Sequence, residues 1–116
     1  MKQHIKIGYR DIEIKISKPD FTKDHLTDCF GQYDTRKGLI EIQEGLSNQK
    51  LVNTLLHEIN HGIIDISGLN QSSAPLEKDD DEEIVVHQMT NYFLAMCRDN
   101  PWLLDYIKEN INNNEE

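Results

Sequence analysis

The apolar residues change their spacing once along this chain, and that change decides the fold class. In "QHIKIGYRDIEIKI" (residues 3–16), Ile5 and Ile7 alternate with polar residues, and so do Ile12, Ile14 and Ile16. A repeat of two puts alternate side chains on one face of a β-strand. The segment therefore predicts two strands, interrupted near Gly8–Asp11. From residue 51 the repeat lengthens. Leu51, Val52, Leu55, Leu56, Ile59, Ile63 and Ile66 recur at helical spacing. Strands first and helices later predict an α+β domain, with helices packed on a small antiparallel sheet.

The punctuation between these segments sharpens the outline. "CFGQYDTRKGLIEIQEG" (29–45) predicts a hairpin turning at "DTRKG", with Leu39, Glu41 and Gln43 alternating with Ile40 and Ile42. "SKPDFTKDHLTD" (17–28) predicts a connector containing a helical turn. Ser47 or Asn48 can cap the first long helix, and Gly68 can stop it. "LNQSSAPLEKDD" (69–80) predicts a loop, and a second helix is expected from Asp81 to Arg98. "DNP" breaks that helix. Asn100 as cap and Pro101 at the first helical position predict a short last helix over "PWLLDYIKEN". One domain over 1–108 is expected, followed by an acidic, flexible tail over 109–116, which has one apolar residue in eight.

Charge and composition narrow the function classes. The formal net charge of −9 argues against bulk nucleic-acid binding, which needs cationic surface to displace counterions. No apolar run approaches the ~20 residues that span a membrane, and "MKQHIKIGYRD" lacks the apolar core of a signal peptide. The expected location is the cytoplasm. Cys29 and Cys97 fit no metal-ligand spacing and are expected as free thiols.

The chemistry is concentrated in "LLHEINH" (55–61). On a helix, His57 and His61 lie on one face, one turn apart, and can share one Zn²⁺. Glu58 projects beside them, placed to take a proton from an activated water and pass it to a leaving group. The apolar positions 52, 55, 56, 59, 63 and 66 are expected to face the core from the opposite side. An H-E-x-x-H match in a chain of this length arises by chance on the order of once in a few hundred chains. An ordinary polar patch on a helix is therefore the weaker explanation.

A catalytic zinc needs a third protein ligand and an open position. Ile64 and Ser67 stand where the longer pattern HExxHxxGxxH would require glycine and histidine, so the ligand is expected from the next helix. Glu82, Glu83 and His87 are the candidates, with Glu83 preferred and His87 next. The bland alternatives are an acidic helix start that suits the helix dipole and a surface histidine.

The segments "TLLHEINHGIIDISGL" and "EEIVVHQMTNYFLAMCRDNPWLLDYI" resemble a group of small phage and prophage zincin-like metallopeptidases, related in pattern to ImmA/IrrE and SprT-like proteins. The upstream "GQYDTRKGLIEIQEGLS" fits the hairpin of that group, and the resemblance spans roughly residues 28–108. It implies His57 and His61 as metal ligands, Glu58 as base, and Glu83 as the acidic residue opening the following helix. ImmA/IrrE-type proteins carry a glutamate four residues before an Asn or Asp on that helix. Here His87 stands four before Asn91, an alignment that implies His87 as ligand instead. A phage origin would imply the cytoplasm of a bacterial host.

The expected activity is zinc-dependent peptide hydrolysis, with about one Zn²⁺ per chain and a protein or peptide substrate. The segment Leu39–Gln43 is expected to pair with an extended substrate, as sheet edges do. Tyr33, Tyr92 and His87 are candidates to stabilise the oxyanion. One rival is a zincin-shaped module that acts on a host or phage protein by binding alone. Another is a DNA-associated protease of the SprT type, which the acidic charge disfavours. No nucleic acid or membrane partner is expected, and the sequence leaves the oligomeric state open.

Overall fold

A computed structural model describes residues 1–18 and 30–112. Four strands come first: β1 (His4–Ile7), β2 (Arg10–Ser17), β3 (Gly31–Asp34) and β4 (Leu39–Gln43). Three helices follow: α1 (Asn48–Ser67), α2 (Asp79–Asp99) and α3 (Trp102–Asn110). The α+β architecture agrees with the change in apolar period.

The sheet is mixed, which corrects the antiparallel expectation. Its strand order is β1-β2-β4-β3. β1 with β2 and β3 with β4 are antiparallel hairpins, but β2 and β4 run parallel, with Ile14 opposite Ile40 and Ile16 opposite Ile42. Residues 18–30 separate β2 from β3, a connection long enough for a parallel crossover. β3 lands one strand-width away from β2, and its hairpin returns β4 into the gap. The more apolar strand takes the interior: Ile40 and Ile42 are fully buried. β4 is therefore no edge strand and cannot pair with a substrate as expected; β3 is the edge on that side.

Ile7, Ile12, Ile14, Ile40 and Ile42 form the core on one sheet face, and Leu51, Leu55, Ile59 and Ile66 of α1 pack against them. Burying each such side chain contributes about 1.5–3 kcal/mol. The opposite face carries exposed Lys6, Asp11, Glu13 and Lys15. Val52 and Ile63 are half exposed and do not anchor α1 as expected. Each lies about 100° around the helix from a sheet-facing neighbour. The buried side of α1 includes Thr54 and Glu58 instead.

Local chemistry fixes the ends of α1. The Ser47 side chain accepts a hydrogen bond from the Lys50 N–H at 3.3 Å. Gly68 adopts φ 83°, a left-handed conformation that a Cβ disfavours. Gly68 N–H then reaches Asp65 O and Leu69 N–H reaches Ile64 O, both at 3.1 Å, closing the helix.

α2 begins at Asp79, two residues before the expected start, with four acidic residues in its first turn. It meets α1 through buried Val86 and Thr90. Asn100 closes α2 rather than capping α3. Its side-chain amide donates to Met96 O at 2.9 Å, and α3 starts after Pro101 at Trp102. α3 contains no buried residue. Among the described residues, no helix is long and apolar enough to cross a membrane. Cys97 is a free thiol. The expected helical turn in 17–28, Cys29 and the tail beyond Asn112 lie outside the described residues, apart from Ser17 and Lys18.

Candidate metal centre

α1 presents His57, Glu58 and His61 to a cleft of about 730 Å³, and α2 closes one wall with Glu82, Glu83 and His87. β3 supplies Gly31, Gln32 and Tyr33 on the other side. The two imidazoles lie with ring centroids 5.0 Å apart, as one helical turn dictates. Both aim at Glu83. His57 Nε2 is 2.9 Å from Glu83 Oε1, and His61 Nε2 is 3.1 Å from Glu83 Oε2. One ligand atom from each of His57, His61 and Glu83 lies within 4.8 Å of the others, and this group could hold a metal ion.

The donor set fits such an ion. Two imidazole nitrogens and a carboxylate suit a divalent metal of the zinc type. His61 Nδ1 is 2.6 Å from Glu82 Oε2 while its Nε2 faces Glu83. A neutral imidazole has one N–H and one lone pair, so it can donate to only one of these carboxylates. An imidazolium donates to both, and a cation between Nε2 and Glu83 would satisfy the neutral ring equally.

Glu58 is 6% exposed, and burial pushes its pKa up to about 7. The nearby Glu83 charge acts in the same direction and His61 opposes it. Burial holds the His57 pKa below the ordinary value, with Glu83 opposing and His61 and His87 adding to the depression. A buried ionisable group beside imidazoles in a cleft is an arrangement common at functional sites.

The structure brings Glu83, not His87, to the two histidines. His87 lines the cleft further along α2, where Asn91 Nδ2 is 3.1 Å from its Nε2. Asn91 in turn accepts a hydrogen bond from Asn53 of α1 at 3.0 Å. Tyr33 also lines the cleft. Tyr92 does not: it is 73% exposed on α2, away from the cleft lining, which removes it as an oxyanion candidate.

Asp65 and Thr35, which hold Tyr33 in the cleft, escaped the sequence reading. Asp65 Oδ2 accepts hydrogen bonds from Tyr33 OH at 2.8 Å and Thr35 Oγ1 at 2.6 Å, tying the β3–β4 hairpin to α1. Burial and the Asp65 carboxylate raise the Tyr33 pKa. The available signal was position: Asp65 stands four residues after His61, on the same helix face one turn on.

Compared with protein-family models, curated proteins and solved structures, the chain matches none. What the fold and site define is thus a class by their own geometry: an α+β domain with a candidate metal cluster in a cleft between two helices and a sheet edge.

Proposed function

We propose that this chain is a zinc-dependent peptidase of the zincin kind. The observation that carries the reading is the convergence of His57, His61 and Glu83 within 4.8 Å, with Glu58 buried alongside in an open cleft. His57, His61 and Glu83 would hold the ion. Zinc held there supplies Lewis acidity, which polarises a scissile carbonyl and acidifies a water. Glu58 accepts the proton of the attacking water and returns it to the departing amine. β3 offers its edge beside the cleft, so an extended peptide laid along it passes the cluster. Of the two expected oxyanion donors that line the cleft, Tyr33 already donates its hydroxyl proton to Asp65, which leaves His87 the freer to donate.

A second reading, a module that acts on a protein by contact alone, draws support from exposed apolar side chains on α2 and α3. Met89, Tyr92 and Trp102 are each more than half exposed. Glu58→Gln separates the two. It keeps shape and hydrogen-bonding capacity but removes the base. Metal content should persist while cleavage of a peptide library falls by roughly 10²–10⁴-fold. A zinc-loaded wild type that cleaves nothing would replace the peptidase reading with the binding one, and a variant that cleaves equally well would remove Glu58 as the base.

A further inference from the structure

We propose that Glu82 is the positioning residue of this centre: its carboxylate accepts a hydrogen bond from the Nδ1–H of His61 and so turns the Nε2 lone pair toward the metal. The inference rests on the metal reading above, and it assigns Glu82 a role different from that of a third ligand.

The geometry separates the two adjacent glutamates. Successive helical residues are about 100° apart around the axis, so Glu82 and Glu83 reach the same imidazole from different sides. Glu82 Oε2 lies 2.6 Å from Nδ1, and Glu83 Oε2 lies 3.1 Å from Nε2. The two nitrogens point out of opposite edges of the ring. A carboxylate bonded at Nδ1 is therefore turned away from an ion bound at Nε2. The cluster able to hold a metal accordingly contains Glu83 and not Glu82.

Burial makes the same distinction. The Glu82 side chain is 13% exposed and the Glu83 side chain 57%. Glu83 has the freedom to shift from its histidine contacts onto an ion. Glu82 is packed where it stands, and its backbone N–H is fixed to Lys78 O at 3.0 Å in the first turn of α2. The shorter contact also decides the tautomer. The single proton of a neutral His61 belongs at Nδ1, where its acceptor is closer and shielded from water.

His57 provides the contrast. Its Nε2 faces Glu83, but among the described residues no carboxylate stands at its Nδ1. Of the two histidines, only His61 is thus set in advance. A histidine ligand held through its second nitrogen loses less freedom on binding and is a more basic donor.

Two measurements test this. In metal-free wild type at mildly alkaline pH, long-range ¹H–¹⁵N spectra should show His61 as the Nδ1–H tautomer. Glu82→Ala should remove that preference, and Glu82→Gln should retain it, because the amide oxygen still accepts the same proton. In zinc titrations against a competing chelator, Glu82→Ala should weaken binding by about 10–100-fold. Glu82→Gln should recover most of the loss, and Glu83→Ala should cost far more than either. An Nε2–H tautomer in the wild type would overturn the proposal. So would wild-type zinc affinity in Glu82→Ala, or a loss in that variant equal to that of Glu83→Ala. A wild type that takes up no zinc would overturn the metal reading. The tautomer, read without metal, would still decide whether Glu82 holds His61.

Discussion

Gly31 of β3 stands so close to Thr54 of α1 that a Cβ added to the glycine would lie 2.7 Å from Thr54 Cγ2. It would also come within 3.0 Å of the Glu41 carbonyl oxygen and 3.5 Å of Glu58 Cγ. Thr54 is buried and β-branched, so it has little room to yield. Gly31→Ala should therefore push β3 off α1 and cost about 1–3 kcal/mol, as overpacking does. Urea unfolding checks this. An unchanged midpoint would mean that the strand moves aside freely.

Asp65 fastens the hairpin to the helix by accepting from Tyr33 and Thr35. Asp65→Ala leaves the partly buried Tyr33 hydroxyl without its acceptor and should destabilise the fold by about 1–3 kcal/mol. Asp65→Asn keeps one acceptor oxygen and should cost less. Equal losses in the two variants would show that charge, rather than hydrogen bonding, carries the effect.

The same contact predicts a pH dependence. Tyr33 titrates above the ordinary tyrosine value of about 10, mainly through burial and then through Asp65. A folded-state pKa raised in this way contributes stability that is fully present below the unfolded value and is lost as pH rises through the folded one. Wild type should lose stability on moving into that alkaline range. Tyr33→Phe should start lower at neutral pH and decline less steeply. Parallel declines in urea midpoint would show that Tyr33 takes no part.

Zinc should stabilise the native chain. An ion that binds only the folded state adds about 2.7 kcal/mol at a free concentration about a hundredfold above its dissociation constant. The melting temperature of the wild type should rise with zinc and fall with chelator, while His57→Ala should respond far less. A zinc-insensitive wild type would count against the cluster as a metal site.

Much of the fold was legible because its signals are local. Ser47 and Gly68 mark α1 within one turn of its ends, and the isoleucine alternation marks β1 and β2. The sheet order was not legible. Ile40 and Ile42 alternate with Glu41 and Gln43 in the same way whether a strand lies at an edge or inside a sheet with one open face. Only the partner on the far side differs, and β2 is distant in the chain. At the site, a helical repeat was enough to put His57 and His61 together. Choosing among Glu82, Glu83 and His87 needs the placement of α2 against α1, which depends on buried Val86 and Thr90 and on Asn60 donating to Thr90 at 2.9 Å. The Tyr33–Asp65 bond joins residues 32 positions apart and has no local signature.

The parallel pairing of β2 with β4 has a consequence for the order of assembly. β1–β2 and β3–β4 are each closed by a few residues, and such hairpins form within about 1–10 μs. Joining them edge to edge adds the non-local pairing of β2 with β4, and contacts between residues distant in the chain slow folding. α1 packs across that joint, touching β1 on one side and β3 and β4 on the other. The helix that carries His57 and His61 thus packs on strands from both halves, and its full set of contacts exists only when the two have met. Substitutions at the joint, such as Ile14→Val or Ile40→Val, should then delay the appearance of metal-binding capacity during refolding, although neither residue lies in the cleft.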